Sequence, residues 1–163
     1  MFKSTRQFLG LWAYESGYTG AVLANLTDAS LSQRIAPGHR SLGELAWHIA
    51  GSIGVIVRQT GLEFDGPDDK RDPAPARAAD ILAGYRRAAD GLARAIRGQW
   101  TDETLLVTDM LYGHEWRRGV TLQVMLFHEI HHRGQATVLM RQAGLKVPDG
   151  YGPSKAGGLP EPL

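Results

Sequence analysis

Residues 128–132 read His-Glu-Ile-His-His, and the chemistry of this chain is concentrated there. On a helix, positions four apart are offset by only about 40° and lie one turn apart. His128 and His132 can therefore aim both imidazoles at one metal ion. His131 lies about 60° to the other side of His128, at the flank of that face. A third nitrogen is available from His48, inside the run Leu45-Ala46-Trp47-His48-Ile49. Three neutral imidazoles with an open fourth position are the arrangement of catalytic zinc rather than of closed structural zinc. Imidazole donors also suit nickel, copper and iron, and the expectation is a divalent ion, zinc or nickel. The simpler account is that these are hydrogen-bonded core histidines. His39 and His114 fall in connections and are expected at the surface, with His114 able to reach the rim of a site.

The same run matches the H-E-x-x-H signature of metallopeptidases. The extended form of that signature needs glycine where this chain has Gln135, and a third histidine where it has Val138. The only carboxylates further on are Asp149 and Glu161, in a stretch rich in proline and glycine. A peptidase is not the expectation. As candidate catalytic groups, Glu129 and His131 could move protons beside a metal. The plainer role for Glu129 is a salt bridge to Arg133 at i+4.

Helices must position these residues. The first is expected from a Ser4–Gln7 capping box, with an apolar stripe through Phe8, Leu11, Tyr14, Tyr18, Val22 and Leu26. Residues 31–40 form a connection with room for a helical turn. The second starts at the capping box Ser41 and Glu44, carries Leu45, Ile49, Ile53 and Ile56, and ends at Gly61. Residues 65–73, charged and full of breakers, are expected as a solvated loop. The third helix should begin near Pro75 and end around Gly98, and the fourth should span about Thr121–Ala143, stopping at Gly144. Between them, residues 101–120 form a long crossover with the propensity for a short hairpin. The expected fold class is all-α: a four-helix bundle with long crossover connections, whose long links at residues 62–74 and 101–120 argue against a simple up-down meander. One domain is expected over residues 1–147, followed by an irregular tail, 148–163, with four glycines and four prolines.

Composition narrows the function. The 163 residues carry 18 Lys+Arg against 17 Asp+Glu, six histidines and no cysteine. A formal charge of +1 gives no basic excess for nucleic acid. No apolar run approaches the roughly 20 residues that span a bilayer. The N-terminal residues lack the apolar core of a signal peptide, so a cytoplasmic protein with no nucleic-acid or membrane partner is expected. Without cysteine there is no disulfide, no Cys-ligated zinc and no thiol nucleophile within the chain.

The run from His128 to Gln135, with Leu139, Gly144 and Pro148 after it, resembles the C-terminal motif of the DinB/YfiT-like proteins. The resemblance extends from about Phe8 to Pro148. It implies a four-helix bundle, often dimeric, in which a helix-two histidine and a later H-x-x-x-H pair bind one divalent metal. Carried over, those ligands are His48, His128 and His132; the Arg133-Gly134-Gln135 extension has no chemistry legible in the sequence. Some members are transferases or isomerases using bacillithiol, mycothiol or glutathione. The resemblance thus implies a metal-dependent transferase with a low-molecular-weight thiol cosubstrate. A cation that lowers the pKa of such a thiol fits a chain that has no sulfur nucleophile of its own. The alternatives are a metal-assisted hydrolase and a non-catalytic, stress-related metal or ligand carrier. A small-molecule substrate is expected, and so is a homodimer, from the family habit and from Trp12, Trp47, Trp100 and Trp116.

Overall fold

The computed structural model describes residues 1–152. Four helices dominate: α1 (Thr5–Leu23), α2 (Leu42–Val57), α3 (Ala78–Gln99) and α4 (Arg118–Gln142). A two-stranded antiparallel hairpin, β1 (Thr108–Leu111) and β2 (His114–Arg117), precedes α4. The α2 helix packs on α3 and α4, and α1 packs on the same two. Thus α1 and α2 face each other across the bundle, as do α3 and α4. The diagonal connections are residues 24–41 and 100–117, whereas 58–77 joins the neighbours α2 and α3. This is the all-α bundle with long crossovers that the sequence predicts, except that residues 62–74, expected as one of the long connections, join neighbouring helices and 24–41 makes the other crossing.

Helix ends show which local signals were sufficient. Ser41 and Glu44 form the expected reciprocal capping box on α2, with Ser41 N–H donating to Glu44 Oε2 at 2.7 Å. Ser4 makes no side-chain cap on α1. Its place is taken from far away in sequence: Thr5 donates both its N–H and its hydroxyl to Asp102 Oδ1, at 2.8 and 2.9 Å. The same happens at α3, whose Ala78 N–H donates to Asp28 Oδ1 at 2.7 Å, three residues later than the expected start at Pro75. The hairpin turns at Tyr112 and Gly113, both with positive φ (52° and 79°), the pairing that suits a tight two-residue turn.

The core is drawn from all four helices: Phe8, Trp12 and Val22; Ile49 and Ile53; Ile81, Leu92 and Ile96; Leu122, Leu126 and Met140. On α1 the buried face is rotated from the expected stripe. Leu11, Tyr14 and Tyr18 are half-buried, while Trp12, Glu15 and Thr19 point inward. The reason is polar, since Glu15 and Thr19 are held by side chains of α4. Trp12, Trp47 and Trp100 are also spent in the core.

Residues 65–73 form the irregular segment expected, with Asp65 and residues 70–73 exposed, but its middle is anchored to the bundle. Arg58 donates to the carbonyls of Phe64 and Gly66, and Trp47 Nε1 donates to the carbonyl of Asp72 at 2.9 Å. Pro67 is buried. The segment is folded back over α2, and that brings an aspartate to the histidines. Residues 148–152 form neither helix nor strand, and the rest of the expected tail, 153–163, lies outside the described residues. No helix among the described residues is long and apolar enough to cross a membrane.

Candidate metal centre

His48 comes from the middle of α2, and His128 and His132 from successive turns of α4. Each can offer one ring nitrogen so that all three lie within 4.8 Å of one another. The ring centroids are 5.0 Å apart for His48–His128, 4.7 Å for His48–His132 and 4.4 Å for His128–His132. All three rings are partly buried, since α2 and α4 pack together along this face. The fold thus brings together the same three histidines that the sequence singles out.

Two of the rings are oriented from behind. His48 Nδ1 lies 2.6 Å from Asp69 Oδ2, and His132 Nδ1 lies 2.7 Å from Gln135 Oε1. Carboxylate and amide oxygens accept, so each Nδ1 carries the hydrogen, which leaves Nε2 as the ring atom available to a metal. Carboxylate or carbonyl behind imidazole is the usual support of a metal-ligating histidine. His128 Nδ1 is buried and has no hydrogen-bond partner among the described residues. Burial, then the neighbouring His132 and His48, push the pKa of His128 down to about 4. Burial also lowers that of His132. Both rings are thus neutral at pH 7, as ligation requires. Clustered imidazoles, two held through Nδ1 and one with an unpartnered buried nitrogen, fit a divalent cation.

Asp69 is the functional residue that sequence reasoning missed. Its signal was faint: Gly51, one turn after His48 on α2. A Cβ at Gly51 would lie 2.5 Å from the Asp69 N and 2.6 Å from its Oδ1, so only glycine admits the loop this close. Gln135, one turn beyond His131, bridges two histidines. Its Nε2 donates to His131 Nε2 at 3.1 Å while its Oε1 accepts from His132.

The other candidates fall around this centre. His131 is exposed, at the flank expected, with ring centroid 4.9 Å from that of His132. His39 stands on the rim of a cavity that His132 lines, and His114 is exposed in β2. Glu129 points elsewhere, into the junction of α1, α3 and α4. Its Oε1 accepts from Thr19 Oγ1 at 2.8 Å and from Tyr85 OH at 3.0 Å, while Oε2 is buried without a partner. Burial pushes this carboxyl up to about 7, against the lowering effect of those two hydroxyls and Arg133.

The expected Glu129–Arg133 salt bridge does not form. Arg133 reaches past Glu129 to α1, pairing with Glu15 Oε2 at 2.7 Å and donating to Thr19 Oγ1 at 2.9 Å. It also donates to Tyr151 OH, which itself donates to Glu15 Oε2 at 2.6 Å, and it lies over the Tyr18 ring. Arg133, illegible in the sequence, is a buried clamp joining α4, α1 and the segment after α4.

The DinB family model matches residues 1–159. The chain belongs to the DinB family. It is 41% identical over 155 residues to the uncharacterized protein YrdA of Bacillus subtilis (strain 168), covering 95% of this chain and 92% of that one. The crystal structure of a DinB-like protein from Bacillus cereus ATCC 10987 superposes with a TM-score of 0.89 at 44% identity, over 93% of this chain and 100% of the other. A second DinB-like protein, YjoA of Bacillus subtilis, superposes with a TM-score of 0.71 at 19% identity, over 89% and 96%. That last likeness concerns the DinB fold alone.

Proposed function

We propose that this DinB-family protein is a metal-dependent transferase that uses a low-molecular-weight thiol, with His48, His128 and His132 holding one divalent ion, zinc or nickel. The observation that carries the reading is a three-imidazole cluster in a chain with no cysteine. A divalent cation held by three neutral imidazoles keeps its full charge and lowers the pKa of a thiol beside it. The protein's own part is orientation. Asp69 and Gln135 hold two imidazoles with Nε2 available, and the α2–α4 packing keeps the third neutral. In the reaction class proposed, the thiol gives its proton to solvent and its sulfur forms a bond to an electrophilic carbon. The leaving group departs from that carbon with the bonding electron pair.

Glu129 is tied to Thr19 and Tyr85 and lines no cavity beside the histidines. This favours thiol transfer over a hydrolase that would use Glu129 as its base. The test is a cobalt-substituted protein titrated with bacillithiol, mycothiol and glutathione. The expected result is a sulfur-to-cobalt charge-transfer band with at least one of them, absent from His128→Ala. No spectral change with any of the three at millimolar concentration would overturn the reading.

A further inference from the structure

The segment before α2 is held as a rigid rim. Arg34 and Ser41 pair as an antiparallel bridge, and Arg34 donates to the His39 carbonyl and to Glu44 Oε2, the latter at 2.8 Å. The loop turns at Pro37 and Gly38, and His39 and Arg40, on its returning limb, line two cavities. The first, about 400 Å³, has Ile35, Leu45, Val138 and Leu139 as its apolar wall and touches the ligand face at His132. No carboxylate lines it, and its one permanent charge is Arg40. The second cavity, about 410 Å³, is lined by Glu44, Asp69 and Asp72 together with Arg34 and Arg40. Among the described residues Arg40 takes part in no ion pair, whereas Arg34 in the same loop is paired.

A guanidinium lining an apolar, acid-free cavity selects a particular ligand chemistry. An anion gains a bidentate partner there without opposing charge, whereas in the neighbouring cavity three carboxylates outnumber Arg34 and Arg40. An apolar chain is favoured by the wall, which removes it from water. We infer that the cavity beside His132 binds a small amphiphilic carboxylate, its chain against Ile35, Val138 and Leu139 and its carboxylate on Arg40. This rests on the metal-centre reading only in making that carboxylate a feature of the molecule that reacts there.

The experiment uses the full chain stripped of metal by chelation, so that no ion competes for the carboxylate. Hexanoate and its neutral analogue hexanamide are titrated while the methyl resonances of Ile35, Val138 and Leu139 are followed by NMR. Hexanoate is expected to bind at least 10-fold more tightly than hexanamide and to shift those methyls. In Arg40→Met hexanoate should fall to the level of hexanamide, whose own affinity stays unchanged; Arg40→Lys should keep part of the preference. Equal affinities in the wild-type protein, or hexanoate binding untouched in Arg40→Met, would overturn the proposal. Zinc uptake is measured separately on the same samples, so failure of the metal reading is seen independently of the anion result.

Discussion

Replacing Asp69 with Ala removes the group behind His48 without touching a ligand. The substitution deletes a 2.6 Å hydrogen bond between Nδ1 and a carboxylate. Hydrogen bonds to charged groups contribute about 1.5–3 kcal/mol, and removal of such supporting partners typically costs 10–100-fold in metal affinity. Here the side chains of His48 and Asp69 are 17% and 13% exposed. Water can reach Nδ1 once the carboxylate is gone and recovers part of the deficit. We therefore expect the lower part of the range, about 10–30-fold or about 1.4–2 kcal/mol. Asp69→Asn keeps an acceptor oxygen but not the charge, and should weaken binding only about 3–10-fold. The assay is competition for zinc against a chromophoric chelator. Asp65→Ala serves as control, because Asp65 is an exposed partner of Arg87 on the outer surface. Affinity of Asp69→Ala within twofold of wild type would refute the assigned role.

Three further outcomes follow from particular side chains. Gly51→Ala should displace the loop that carries Asp69, since the new Cβ would sit 2.5 Å from a backbone nitrogen; chelator competition should show weakened zinc binding with all three ligands intact. Arg133→Met leaves Glu15 unpaired at a site where the two side chains are 3% and 4% exposed. Urea unfolding should show a loss of about 3–5 kcal/mol, and Arg133→Met with Glu15→Leu should recover most of it. Glu44 is held below the usual glutamate range, first by the Ser41 amide and then by Arg34. Its contribution is therefore present above that range and lost as the pH falls through it. Glu44→Gln should be less stable than wild type in thermal melts at pH 7, and the gap should close as acid protonates the wild-type carboxylate.

What the sequence made legible was whatever depends on near neighbours. The Ser41–Glu44 box, the left-handed glycines at 61 and 144 and the i,i+4 pair His128–His132 are all local, and all were predicted. The pairing of that His pair with His48 needed only two well-patterned helices packed face to face. The misses share a different cause, which is tertiary partnership. Asp102 and Asp28 cap helices from 97 and 50 residues away. Four aspartates between 65 and 72 look alike in sequence, and only the glycine opposite marks Asp69. Glu15 and Thr19 lie outside the apolar stripe read on the first helix, and Arg133 and Glu129 on α4 supply their buried partners.

That three imidazoles share one divalent ion is tested most directly by zinc-edge X-ray absorption on tag-free protein loaded with one equivalent of zinc. The expected spectrum has three imidazole nitrogens at about 2.0–2.1 Å, falling to two in His48→Ala. Fewer than three imidazoles in the wild-type protein, or a spectrum unchanged in His48→Ala, would contradict a shared three-histidine site.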